Sequence, residues 1–216
     1  MNPRTLVLVT AALLLSAFVA ATALYHRAQA DAATRRAIDH GDRLIRPHAP
    51  ILGDVTAPVT IVEFFDPACA TCQAFHEPLK ALVAAHPGKL KLVLRYAPFQ
   101  IGAEHIVALL EAARRQDKFW PVLDVLMETQ DDWKPLHEAE LPRVWKHLDG
   151  LELDLDRLRR DMSDPEIAAR IQQDEEDANR LRIDTTPTFY VNGRPLPGFG
   201  FGVLQKTVEA ALATLE

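Results

Sequence analysis

Apolar positions along this chain change rhythm several times, and each change marks an element. From Leu6 to Tyr25 the sequence is apolar, broken only by Thr10, Ser16 and Thr22, after one positive charge at Arg4. About 20 residues of helix at 1.5 Å each span the hydrocarbon core of a bilayer, so residues 1–25 predict a signal anchor or a signal peptide. The run exceeds the 7–15 apolar residues usual in a removed signal, which favours the anchor, although Ala28-Gln29-Ala30 has the small-x-small form of a cleavage site. Residues 26–46 are polar and alanine-rich, a spacer or a continuation of the anchor helix. Pro47, Pro50, Gly53 and Pro58 then break any helix and mark the entry to a folded domain.

Pro58 to Phe65 is a short β-branched run bounded by turn residues, and Lys89 to Tyr96 is a second one; both predict central strands. The stripe Phe75, Leu79, Leu82, Val83 between them predicts a helix that contains Pro78 and stops near His86-Pro87-Gly88. From Gly102 to Ile183 the period is helical. Ile106, Leu109, Leu110 and Ala113 form one face, Phe119, Val122, Leu123 and Leu126 another, and a shorter element covers residues 139–148. Ser163-Asp164-Pro165-Glu166 has capping-box spacing ahead of a helix that buries Ile167, Ile171, Ala178 and Leu181 and presents Asp174-Glu175-Glu176-Asp177 as a solvated acidic face. The three tryptophans, Trp120, Trp133 and Trp145, are expected in packing roles. Thr188 to Val191 returns to strand, Asn192-Gly193 turns it back onto Arg194-Pro195-Leu196, and Val203 to Thr214 closes with a helix. The pattern is α/β: residues 47–101 and 184–216 build a sheet with its helices, and residues 102–183 are a helical insertion.

A formal net charge of −6 and a pI near 5.8 leave no basic footprint for nucleic acid. Cysteine usage is more informative. The chain has two cysteines, Cys69 and Cys72, placed where the first strand runs into its helix. A helix N-terminus presents unpaired N–H groups and the positive end of the macrodipole, which favours a thiolate at Cys69. Cys69 is thus the attacking sulfur, and Cys72, one turn further in, resolves the mixed disulfide. Two other uses of the pair compete. A zinc or copper(I) site would enlist His76, one turn past Cys72, but no second half-site is visible. A structural bridge over two intervening residues would constrain the unfolded chain little. The other histidines, at 26, 40, 48, 86, 105, 137 and 147, have no site-like spacing and are expected to be surface or structural.

Three segments together carry a resemblance: Glu63-Phe64-Phe65 six residues before the first cysteine, Cys69-Ala70-Thr71-Cys72 itself, and Thr185-Thr186-Pro187-Thr188-Phe189-Tyr190-Val191-Asn192-Gly193. From about residue 50 onward the chain resembles the thioredoxin superfamily and, within it, the DsbA-like bacterial thiol:disulfide oxidoreductases, which carry a helical domain inserted into a thioredoxin fold. The resemblance implies that Pro187 is a cis-proline facing the dithiol, that the Thr186 backbone pairs with an extended substrate strand, and that Glu63 is a buried acid able to take the Cys72 proton. It also implies exported cysteine-containing proteins as substrates, a membrane or periplasmic redox partner, and a place in the periplasm or on the outer face of the bacterial inner membrane. No cofactor is called for. Ala70 and Thr71 bring no charge between the cysteines, which points to a weaker oxidant than the strongest of the family. Thr186 is more like the isomerase branch, yet residues 25–50 are too few for the isomerases' dimerisation domain, so a monomer is expected, with oxidation favoured over reduction or isomerisation.

Overall fold

The structure is a computed structural model of the chain and describes residues 2–39, 41–135 and 138–215; His40 and His137 lie outside the described residues. The apolar run forms a single helix, α1 (Pro3–Asp39), that continues through most of the expected spacer. Pro3 suits its first turn, and no further proline and no glycine follow before Gly41. Leu13, Leu15, Phe18 and Leu24 stand exposed along it.

Among the described residues five strands make one sheet: β1 (Ile51–Gly53), β2 (Val59–Phe65), β3 (Leu90–Tyr96), β4 (Thr188–Val191) and β5 (Arg194–Pro195), in the spatial order β1-β3-β2-β4-β5. β2 and β3 run parallel, joined by α2 (Ala70–Ala84), and every other pair is antiparallel. Both central strands are buried on two faces, which is why they read as continuous apolar runs. β1 is too short to show a period. Its end is fixed by Gly53 at φ +95°, where an added Cβ would lie 2.7 Å from the Leu90 carbonyl oxygen.

Helices fill the interval between β3 and β4: α3 (Ala103–Arg114), α4 (Phe119–Glu128), α5 (Gln130–Trp133), α6 (Leu141–Val144), α7 (Leu155–Asp161) and α8 (Pro165–Leu181). The cap of α8 is Asp164, whose carboxylate accepts from the Glu166 N–H, one residue later than the capping-box spacing suggests. Trp133 is fully buried and donates to the Leu126 carbonyl, while Trp145 lies under the Arg159 guanidinium. The last helix, α9 (Phe201–Ala213), begins two residues before its predicted start and covers, with α2, the sheet face formed by Ile61, Phe65, Leu92 and Leu94.

On the opposite face the acidic run of α8 is not the solvated face its charge suggests. Asp174 and Asp177 are buried, because position 174 falls on the same helical row as Ile167, Ile171 and Ala178. Arg95, from β3 and itself fully buried, reaches both carboxylates through Nη2 at 2.8 Å, lies over the Phe64 ring and donates through Nη1 to the Arg43 carbonyl. Asp174 also accepts from the Tyr96 N–H and meets His48 at 2.7 Å, and Arg46 grips Asp177 with two bonds. Glu176 of the same run stays exposed. The cluster fastens α8 and the segment around residues 43–48 to the sheet beside Val62, Phe64, Val93 and Tyr190.

Removing the cation by Arg95→Leu takes away the buried charge both carboxylates share, leaving His48 and the Tyr96 N–H on Asp174 and Arg46 on Asp177, and should destabilise the fold by about 3 kcal/mol in chemical denaturation. Burial raises the carboxyl pKa of Asp174 and Asp177, but hydrogen bonds from His48 and Arg46 respectively, and from Arg95, outweigh it and hold both below the ordinary value. Stability from lowered carboxyl pKa values is present above the unfolded value and is lost as pH falls through the folded one. The gap between wild type and variant is therefore expected to be widest at neutral pH and to shrink below a pH of about 3.9.

Candidate active site

β2 delivers the chain to the dithiol through a tight corner. Asp66 is fully buried and its carboxylate accepts from the Ala68 N–H (2.7 Å) and the Gln100 N–H (2.8 Å), closing an Asx-type turn around Pro67 and tying it to the loop after β3. Cys69 follows as the N-cap of α2 in extended conformation (φ −85°, ψ 122°), with its own carbonyl accepting from Gln73 N–H to start the helix. Cys69 is half-buried, whereas Cys72 is buried.

Strand pairing brings the second half of the site to the first. β4 runs antiparallel to β2 with Thr188 opposite Phe64, so the two residues before β4 are set beside the corner that follows β2. The Thr186–Pro187 peptide bond is cis, Pro187 is buried, and Cys69 Sγ lies 3.3 Å from the Thr186 carbonyl oxygen. Glu63 alternates along β2 with Val62 and Phe64, which sends its side chain to the α2 side of the sheet, beneath the dithiol.

The two thiols differ sharply in acidity. Hydrogen bonding from the Cys72 thiol, opposed by burial and helped by the Thr186 hydroxyl and the N–H groups of Cys72 and Thr71, holds Cys69 down to about 5. Burial pushes Cys72 well above its usual value, and the contact with Cys69 and the charge of Glu63 add to that. Glu63 is itself raised to about 8 by burial and by the Cys69 charge, and it has no ion pair among the described residues. Burial similarly lifts Asp66 to about 6 against its backbone donors. At neutral pH the corner thus holds one thiolate, one thiol and one largely protonated carboxyl.

Two residues at the site have no sequence signal of the kind that marks the cysteines. Gln130, fully buried at the start of α5, donates through Nε2 to the carbonyls of Pro67 (2.8 Å) and Cys69 (3.2 Å), so the helical insertion grips both sides of the corner. Nothing in the local sequence separates this glutamine from a surface one. Asp66 is the other; an aspartate before proline at a strand end is a turn signal that could have singled it out. His76 stands apart from the sulfurs: its Nε2 is 2.7 Å from Asp124 Oδ1, where the Lys80 ammonium also sits. The ligand-type groups that converge among the described residues are His76, Glu77 and Asp124, rather than His76 with the two cysteines.

A dithiol at a strand-to-helix corner, opposite a cis-proline loop on a sheet interrupted by helices, defines a protein of the thioredoxin-fold class. Residues 46–209 match the family model described as Thioredoxin. A thioredoxin-like oxidoreductase from Silicibacter pomeroyi DSS-3 is 33% identical, superposes with a TM-score of 0.68, and is covered over 96% of its length by 79% of this chain. The probable disulfide bond formation protein D of Bacillus anthracis is 29% identical over 173 residues, which are 74% of this chain and 77% of that protein. The Na(+)/H(+) antiporter NhaA 3 of Salinispora tropica is 34% identical over 172 residues, which are 76% of this chain; the chain spans about a quarter of the length of such antiporter relatives. The chain belongs to the thioredoxin family.

Ultraviolet titration of the reduced protein should show one thiolate appearing with a midpoint near 5. Because the Cys72 thiol is the main stabilising donor, Cys72→Ala is expected to move that midpoint upward; an unchanged midpoint would mean that Cys72 does not hold the Cys69 charge.

Proposed function

We propose that this protein exchanges disulfides with cysteine-containing proteins outside the cytoplasm through Cys69 and Cys72, with oxidation of the substrate as the favoured direction. The observation that carries the reading is the asymmetry of the pair, a thiolate at the exposed sulfur backed by a buried thiol. A Cys69 pKa of about 5 stabilises the reduced form, and stabilising the reduced form is what makes a couple oxidising. It lies below the value of about 7 typical of thioredoxin and above the value of about 3.5 of the strongest oxidants.

In the oxidising direction a substrate thiolate attacks Cys69 Sγ of the Cys69–Cys72 disulfide. The substrate–Cys69 bond forms, the Cys69–Cys72 bond breaks, and Cys72 takes the electron pair. Glu63, protonated at neutral pH and buried beside Cys72, supplies the proton that neutralises it. A second substrate thiolate then attacks the substrate sulfur of the mixed disulfide, releasing Cys69 as its stabilised thiolate and the substrate as a disulfide. Two electrons have passed to the pair, and a membrane-bound or extracytoplasmic redox partner removes them. Running backward, the same steps need Glu63 to accept the Cys72 proton.

Thr186 and Pro187 form the wall along which an extended substrate segment pairs, with the Thr186 backbone as hydrogen-bonding edge. Proline offers no N–H to compete for the sulfur. Exposed Phe199, packed on Phe75 after β5, and exposed Phe99, in the loop tied to Asp66, supply apolar surface suited to unfolded chains. The apolar α1 helix and the disulfide-forming relatives support a location outside the cytoplasm, and the protein acts as a monomer on this reading.

A reduction potential nearer about −120 mV than about −270 mV is expected, and a value at the thioredoxin end would reverse the direction. Cys69→Ser should abolish exchange. Glu63→Gln keeps a neutral group of the same shape but cannot transfer a proton, so the Cys72 step should slow by about 100-fold, with mixed disulfide accumulating in stopped-flow traces run in the reducing direction.

A further inference from the structure

Most arginines of the folded domain, from Arg43 and Arg46 through Arg115 to Arg170, meet a carboxylate within ion-pair distance. Apart from Arg160 on α7, the arginines of the domain without such a partner among the described residues are Arg180, Arg182 and Arg194. All three are exposed, and among the described residues none has an ion pair or a side-chain hydrogen bond. Two of them lie where α1 meets the domain: Arg182 lines a cavity of about 740 Å³ with Tyr25, His26 and Gln29 of α1, Asp184 and Pro197, while β5, which carries Arg194, packs against α1; Arg180 is in the last turn of α8, two residues before Arg182. α1 adds Arg27 and Arg35, also exposed and, among the described residues, without an ion pair. Asp31, Asp184 and, one turn before Arg180, Glu176 are exposed acids of these segments, so arginines outnumber acids here on a chain whose net charge is −6.

The position of the patch along α1 gives it meaning. It lies beside the residues that directly follow the apolar run, in which Leu8, Leu13, Leu14, Leu15, Phe18, Val19 and Leu24 stand exposed. With that run in hydrocarbon, Tyr25 and Arg27 fall at the level of the headgroups, where aromatic and cationic side chains are favoured, and Arg182 lines the same cavity as Tyr25. α1 also passes Ala28-Gln29-Ala30 without a break and half-buries Ala32, Ala33 and Thr34 next to the domain, so helix and domain are coupled there. Asp184 and Pro197, in the same cavity wall, flank the loop that carries Thr186 and Pro187.

We propose that this arginine face docks on the anionic headgroups of the bilayer that holds α1, and so keeps the Thr186–Pro187 loop and the dithiol at the membrane surface. The proposal rests on α1 as a membrane anchor and extends the disulfide-exchange reading by giving the exchange a place. Substrates and redox partners are then met as they lie at the bilayer.

The test uses the full chain in nanodiscs of phosphatidylcholine alone or with phosphatidylglycerol, followed by hydrogen–deuterium exchange over residues 180–197. Each arginine near an anionic surface contributes about fivefold in binding, so exchange should be at least about tenfold slower in the anionic discs. The difference should vanish in 1 M salt, where the screening length is about 3 Å. R180E/R182E/R194E should remove it while leaving reaction with a small soluble dithiol intact. Equal exchange in both discs overturns the proposal, as does failure of the chain to enter either disc, which would remove the anchor. Loss of reaction with the soluble dithiol in wild type would instead bring down the exchange reading, since that assay needs no membrane.

Discussion

The pairing of β2 with β4 holds the chemistry of this molecule together. The register from Ile61 opposite Val191 to Phe64 opposite Thr188 sets three things at once: Glu63 faces α2, Pro187 ends beside the dithiol, and the Thr186 carbonyl lies 3.3 Å from Cys69 Sγ. A slip of one residue would turn Glu63 to the opposite face and carry Thr186 away from the sulfur, since side chains alternate with a period of two. Parallel pairing with β3 and burial on both faces leave β2 no alternative register that keeps its apolar side chains covered.

Within that frame the two cysteines, alike in sequence, become chemically unlike. Cys69 caps a helix and is surrounded by donors; Cys72 is enclosed by apolar side chains and sits near a carboxyl that has no cation. Ala70 and Thr71 carry no charge, so by residue type alone the motif suggests weak stabilisation of the thiolate. The stabilisation instead comes from the Cys72 thiol, from backbone N–H groups and from Thr186 across the sheet. Backbone amides are present whatever the side chains are, and for that reason a motif of small neutral residues can still hold a charge.

The helical insertion does more than cover the sheet. Gln130 joins it to the carbonyls on either side of the corner, and Gln73 donates back to Met127. On the other face Arg95, Asp174 and Asp177 lock α8 to β3. Buried charge of this kind is costly to break, so the insertion is held at two points around the sheet and not by apolar contact alone.

Local information determined much of this protein. The apolar runs set α1, β2 and β3, the 3.6-residue stripes set α2, α3, α4 and α8, and the lone pair of cysteines at a strand-to-helix junction marked the corner to which the proposed chemistry is assigned. Each of these depends on residues within one element, where periodicity and turn preference act directly. The tertiary structure alone decided the rest: the burial of Asp174 and Asp177 by an arginine about 80 positions earlier, the grip of Gln130, the three-residue edge strand β1, and the approach of Thr186 to a sulfur 117 positions away. A charge or an amide looks the same in sequence whether water or a distant partner satisfies it, and only folding brings the partner into place.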